Sequence, residues 1–499
     1  MNFLWMIKTE SYKRGILLSV IFNIIAKGIL FLLTIFIAGF FGSNIKTDIY
    51  FFVYGAMVLL SGFISAVDTA VLIPQSMQLR EKEGAEQAMA LLNYFFYIYF
   101  LIGILFVAIM FLFGTTIFEL VSKFSATDIQ LYRNYFLAGS IYFLFMLLTN
   151  FANAILTSLK FFTIPMIISG INSCIVIASI LLLHRQLDVL SVFIGGIAAY
   201  SFNLMLLIVV MKKKAGWNFF IAAAPKQKKI WSNIGYTQMG QLATFASSFF
   251  PLFLLSGFGN GAISVMNYGK NIADIPNTLV TAQLANVNGI KLNEQFARHD
   301  ETGMNDTFIT SSRLLVFILV PLSCFMFVFA QPIVELFYKR GIFTEAAVMS
   351  SAVFLQLFSI SIFSIGINAV VTRIFNAMQA IKQAFIYQVV LNIVLIIAIW
   401  LFTKQYGAYG YPYGIILINM VNFIGMYFIC KKIFKSIAYS SLLSYSAMVI
   451  ALNLPVAVLL FYMQSASGLG SFYKLILGFC IYLFAVLLMS RIKKISTGY

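Results

Sequence analysis

Apolar runs of about twenty residues recur along the chain near 16–41, 47–74, 89–114, 131–157, 164–184, 190–211, 233–257, 262–287, 308–334, 347–376, 384–403, 410–430, 441–463 and 473–490. A helix of that length crosses the ~30 Å hydrocarbon core at 1.5 Å per residue. The pattern therefore predicts an all-α polytopic membrane protein with about 14 transmembrane helices. The polar connections reach about twenty residues, too short for a large soluble domain. The first apolar run follows Lys13-Arg14 without a convincing cleavage site, so it is expected to stay as a span rather than leave as a signal peptide.

Charge orients these spans. With both termini in the cytoplasm, 23 of the 33 Lys and Arg fall on the inner side, eight fall outside, and two, Lys27 and Lys270, lie within spans. The inner set includes Lys212-Lys213-Lys214, Lys226, Lys228 and Lys229, as the positive-inside rule expects. The same rule accounts for the net charge of +17 without nucleic acid as a partner, and some of the excess suits anionic lipid head groups.

The chain is 61% hydrophobic and 10% charged, with a mean hydropathy of +0.95, which excludes an ordinary soluble protein. Cys174, Cys324, Cys430 and Cys480 sit far apart in apolar runs and read as packing residues. His184 and His299 fall in expected connections without metal-ligand spacing around them. No Gly-rich loop precedes a Lys-Ser/Thr pair, so no ATP motor is encoded, and no pattern of catalytic groups supports an enzyme.

The basic segment 212–232 divides the first twelve spans into an N-terminal lobe, 1–211, and a C-terminal lobe, 233–435, with spans 13 and 14 in 436–499. The lobes echo each other. Gly39-Phe40-Phe41-Gly42 closes the first span and Gly257-Phe258-Gly259 the seventh; Tyr54-Gly55 recurs as Tyr268-Gly269, and Asn153-Ala154 as Asn376-Ala377. Two six-helix pseudo-repeat lobes around a central cavity is a known transporter plan.

Several of these residues lie in motifs that resemble the MurJ/MviN lipid flippases of the multidrug/oligosaccharidyl-lipid/polysaccharide exporter superfamily. Ala154-Ile155-Leu156, Phe162, Ile164-Pro165 and Asn172 match across the fourth and fifth spans. Leu336-Phe337, Gly341 and Phe343-Thr344 match the loop between the ninth and tenth spans. Thr47-Asp48 with Phe51 and Phe52, and Tyr268, Asp274 and Pro276, match the second and eighth spans. Lys27 occupies the place of a basic residue in the family's first span, whereas Leu32-Leu33 replaces an Arg-Asp pair and Leu60-Ser61-Gly62 replaces an arginine-rich end. The family's eighth-span arginine falls at Asn271, with Lys270 beside it.

The candidate site residues are charges that a membrane interior tolerates only with a partner or a wet cavity. Lys27, with Asn23 one turn before it, would face the cavity as a cation for a pyrophosphate or acidic sugar; the alternative is a lysine snorkelling to the interface. Lys270 and Asp274 share a helix face at i,i+4 spacing, with Asn271 and Asn267 on neighbouring faces. They either form a structural pair or hold the head group at Lys270, with Asp274 tuning it or accepting a cation. Asp48 would cap its helix through Thr47-Asp48 or face the cavity. Asp68 is a candidate ion-coupling carboxylate or a partner for Lys27, and Arg373 is an inner-side anchor that could also reach the substrate. Pro74, Pro276 and Gly366 are expected hinge points. Tyr409, Tyr411 and Tyr413 read as an interfacial aromatic belt.

The resemblance implies a flippase that moves an undecaprenyl-pyrophosphate-linked glycan of lipid II type across the bacterial cytoplasmic membrane by alternating access. It also implies that the last two helices help form a groove for the polyprenyl tail. Membrane lipids, and cell-wall or polysaccharide synthases, are the expected partners. No cofactor is expected beyond a coupling cation, Na+ or H+. The alternatives are a flippase for a capsule, O-antigen or exopolysaccharide precursor, a MATE-type drug/cation antiporter, and a membrane scaffold without transport.

Overall fold

Helices occupy every one of the fourteen apolar runs. The computed structural model describes residues 12–224, 228–378, 380–466 and 470–491, and among them no strand occurs. Lys226, Lys493, Lys494 and both chain ends, on which part of the expected orientation rests, lie outside the described residues. Ten stretches are long and apolar enough to cross a bilayer, or eleven with the pair Glu345–Ser359 and Ile362–Ala377, against the fourteen expected. Lys382–Lys432 counts once there although it holds two helices. The runs at 233–257 and 262–287 do not qualify; the first is diluted by Gln238, Gln241, Thr244, Ser247 and Ser248, and the second is broken.

Packing divides the chain into Met1–Ile263 and Ser264–Tyr499, a boundary later than the 212–232 linker. The first unit holds α1 (Tyr12–Phe41), α2 (Ile45–Val67), α3 (Ile73–Lys82), α4 (Ala85–Val121), α5 (Ala126–Leu131), α6 (Arg133–Ser158), α7 (Thr163–Leu187), α8 (Leu190–Ala215) and α9 (Lys228–Leu255). The seventh run, α9, belongs here because it lies along α2. Phe52 of α2 packs on Phe249 of α9 and on Phe118 and Phe124, and Phe63 packs on Phe245. At Gly139 and Gly196 small residues let helices approach closely: an added Cβ would lie 2.3 Å from Val53 and 2.6 Å from Tyr142. Past α8 the linker folds back, with the amide of Asn93 bonded to the carbonyls of Asn218 and Ile221 and accepting from the Trp217 indole.

The second unit holds α10 (Ala262–Ala273), which opens at the boundary, α11 (Ala282–Ala297), α12 (Glu301–Val328), α13 (Ala330–Tyr338), α14 (Glu345–Ser359), α15 (Ile362–Ala377), α16 (Ile381–Tyr406), α17 (Gly410–Lys432), α18 (Tyr439–Ala466) and α19 (Ser471–Ser490). Within it α12 is central, lying against α11, α14, α15, α18 and α19.

The echoes between the lobes have conformational counterparts. Gly42 and Gly259 both adopt positive φ, +64° and +89°, where each run ends. Both the second and the eighth runs also contain a π-helical turn, at Asp68–Leu72 and Asn277–Thr281, each beside a proline. Pro74 and Pro276 lack the N–H that an α-helix needs, and the wider turn absorbs the mismatch. The tenth run bends by 45° between α14 and α15, at Ile360-Ser361 rather than at Gly366. Gly366 serves close packing instead, since a Cβ there would lie 2.5 Å from Leu319 and 3.1 Å from Thr281.

Candidate functional site

In the second unit, α10 is anchored by its buried face. Tyr268 is fully buried against Tyr338 and Phe343, at 5.1 and 5.3 Å between ring centroids, and Ile272 follows one turn on. Phe343 reaches Tyr268 because Gly341 takes a positive φ of +60° in the α13–α14 loop and Thr344 caps α14. The loop motif and the eighth-span motif are thus two sides of one contact. Gly269 makes that approach possible: an added Cβ would sit 2.6 Å from the carbonyl oxygen of Ser351.

Lys270 lies two residues beyond Tyr268, about 200° around the helix, and so points away from that packing. Its Nζ donates to Oδ2 of Asp274 at 2.5 Å, and the side chains stay 36% and 47% exposed. The pair was legible in the sequence; its surroundings were not. Tyr411, at the start of α17, packs on Phe358 and lies within electrostatic reach of both charges. Asn271 is half-buried beside Lys270. The helix breaks at Asp274, two residues before Pro276, so the carboxylate sits where α10 gives way to the π turn.

Arg373 is held from α15 by Asn286 of α11, its Nη2 donating to Oδ1 at 2.7 Å. Its shaft lies over Gly289, 3.1 Å from where a Cβ would stand. Arg373 therefore ties two helices together.

In the first unit, Lys27 is exposed and Asn23 half-buried on α1, and Lys27 forms no ion pair among the described residues. Asp68 does not serve as its partner. It is buried in the π turn and accepts a hydrogen bond from the Tyr99 hydroxyl at 2.6 Å. The cap of α2 is Asn44, which forms a capping box with Thr47, rather than Thr47-Asp48. Asp48, buried one turn further on, accepts the backbone N–H of Gly261 at 2.7 Å. Among the described residues no group of three or more metal-ligating side chains forms.

The second unit also contains an apolar groove of about 900 Å³ between α12, α17 and α18. Val320, Phe327, Phe423, Ile450, Leu454 and Phe461 line it. Of the last two helices, it is α18 that builds its wall.

Membrane-length helices, charges that face out of their packing and an apolar groove mark a polytopic membrane protein. The fold is that of the MOP superfamily: an inward-facing multidrug resistance MATE family transporter of that superfamily aligns over 90% of this chain and 96% of its own, with a TM-score of 0.65 and 13% identity. A solved lipid II flippase MurJ, in an inward closed conformation, aligns over 95% and 99% with a TM-score of 0.79 and 18% identity. Residues 37–479 match the family described as lipid II flippase MurJ, and the chain belongs to that family. A probable lipid II flippase MurJ of Rickettsia prowazekii (strain Madrid E) is 23% identical over 247 residues, 47% of each chain. The chain spans about half or less of the length of the first curated relatives it matches.

Proposed function

We propose that the protein carries an undecaprenyl-pyrophosphate-linked glycan of the lipid II type from the inner to the outer leaflet of the bacterial cytoplasmic membrane by alternating access. The family match over residues 37–479 carries this reading. The physical task is to move a polar, anionic head group through ~30 Å of hydrocarbon while the tail stays in lipid. Lys270 and Lys27, the two intramembrane lysines, supply cationic solvation for the head group, with Asn23 and Asn271 as hydrogen-bonding partners and Arg373 at its inner approach. The groove walled by α12, α17 and α18 takes the polyprenyl chain. Asp274 and Asp68 are the carboxylates through which Na+ or H+ would couple, and Asp48 serves chiefly as an anchor. The work is transport rather than catalysis, with both termini in the cytoplasm and cell-wall synthases as the consumers of the product.

The test is native mass spectrometry of the purified protein with its co-extracted lipids, beside a Lys27→Ala/Lys270→Ala double variant. A bound polyprenyl-pyrophosphoryl glycan that the variant loses supports the reading, and its mass names the sugar. Equal binding of an added lipid-linked glycan by both proteins would remove the lysines from the site.

A further inference from the structure

At the end of the apolar groove nearest the α18–α19 connection lies a second, polar cavity of about 360 Å³. The two share Val328 and Phe461, so the apolar wall of one runs into the other. Four helices bring polar side chains to it: Gln331 from α13, Gln356 from α14, Gln464 from α18 and Lys474 from α19. All four are half-buried.

Lys474 is the only cation lining this cavity among the described residues, and no carboxylate lies within ion-pair distance of it there. Its Nζ donates to the main-chain oxygen of Gln464 at 2.8 Å, which aims the ammonium and leaves two of its three protons to give. The neighbouring carboxylate of Glu335 is already engaged, accepting from Gln331 Nε2 at 3.1 Å and from the Ser471 hydroxyl. Gln356 Nε2 donates to the Phe327 carbonyl at 3.3 Å, leaving its own oxygen as an acceptor.

A half-buried ammonium with no counter-ion among the described residues, flanked by carboxamides, at the mouth of an apolar groove matches one chemistry: a phosphate ester on a long hydrocarbon chain. We infer that Lys474, Gln331, Gln356 and Gln464 form a delivery site, which holds the phosphate of the lipid-linked glycan after its head group has reached the outer leaflet, while the chain still lies in the groove. Lys474 takes the phosphate, and the carboxamides take phosphate oxygens and sugar hydroxyls. This inference rests on the flippase reading and on the predicted orientation, which puts the α18–α19 connection outside.

The test compares binding of undecaprenyl phosphate and of undecaprenol, the same chain without phosphate, to the full-length protein by native mass spectrometry. Wild type should prefer the phosphate about tenfold, corresponding to ~1.4 kcal/mol. Lys474→Gln should abolish the preference and Lys474→Arg retain it. Gln356→Leu, on the opposite wall and clear of the Lys474 anchor, should lower it about threefold, again without weakening undecaprenol binding. A preference that survives in Lys474→Gln overturns the site, as does a dioleoylphosphatidylglycerol competitor that binds equally well with the same Lys474 dependence. Transport of a lipid-linked glycan in proteoliposomes separates the two ideas. Transport without a Lys474-dependent preference overturns the delivery site alone, whereas a Lys474-dependent preference without transport overturns the flippase reading and its delivery step but leaves a phosphate-lipid mouth.

Discussion

Asp48 and Gly261 stand 213 residues apart in sequence, yet the carboxylate of one accepts the backbone N–H of the other at 2.7 Å. Gly261 holds a φ of +93° in the turn after α9, a conformation that suits glycine and exposes its N–H. The buried carboxylate thus ties the turn after α9 to the first turn of α2. Asp48→Leu should cost about 1–3 kcal/mol, the penalty for leaving a buried donor unsatisfied. Asp48→Asn, which retains a carbonyl oxygen, should cost less. Thermal unfolding of both variants in detergent checks the order.

Lys270 and Asp274 admit a sharper test. Removing either partner strands the other charge on a membrane helix and should lower thermal stability, whereas the double variant Lys270→Ala/Asp274→Ala should recover most of it, because breaking a pair costs more than replacing it. A structural pair would leave the double variant active. A head-group site predicts a protein that is stable again but has lost transport at least tenfold in a proteoliposome assay.

Gly269 permits α14 to pack against α10, and any side chain there meets backbone at 2.6 Å. Gly269→Val should destabilise by about 1–3 kcal/mol through overpacking. Gly62 has nothing within 4 Å of an added Cβ, so Gly62→Ala should leave stability unchanged or raise it by up to ~1 kcal/mol through helix propensity. Paired melting curves give the comparison.

The loop that carries Phe343 to Tyr268 is closed by an ion pair, Lys339 Nζ to Glu345 at 2.5 Å. The hydrogen bond to Glu345 raises the Lys339 pKa above the ordinary 10.5. The sign follows: the pair is intact below the ordinary lysine value and is lost as pH climbs through the raised one. Amide exchange in 339–344, corrected for its intrinsic pH dependence, should therefore stay slow below the ordinary lysine value and quicken as pH climbs through the raised one; Lys339→Ala should remove that step. Both groups are about half exposed, so added salt should weaken the contact at neutral pH as well.

The helical runs, the break before Pro276 and the Lys270–Asp274 pair were readable because each depends on residues close together along the chain, although only ten or eleven of the fourteen expected spans qualify as such. What escaped the sequence depends on partners brought together by tertiary packing. Tyr99 reaches Asp68 from another helix, and Tyr411 comes within electrostatic reach of the Lys270–Asp274 pair from α17. Lys474 and the three carboxamides around it come from separate helices and share no spacing. Asn44 was a readable cap, since Asn followed three residues later by Thr closes a box, and this leaves Asp48 for its contact with Gly261. The bend at Ile360-Ser361 carries neither glycine nor proline, so nothing local marked it over Gly366.

The two π turns have a kinetic side. Each packs one extra residue into its helix, beside a proline that already leaves one backbone hydrogen bond unmade. Passing that surplus along the helix one residue at a time exchanges single hydrogen bonds, whereas unwinding the segment would forfeit several at once inside lipid. Every side chain the surplus passes swings by about 100°, the angle per residue of an α-helix. Asp68 opens the first of these turns and Asp274 lies three residues before the second, so a one-residue shift of either turn would re-aim a carboxylate with small displacement of the surrounding helices.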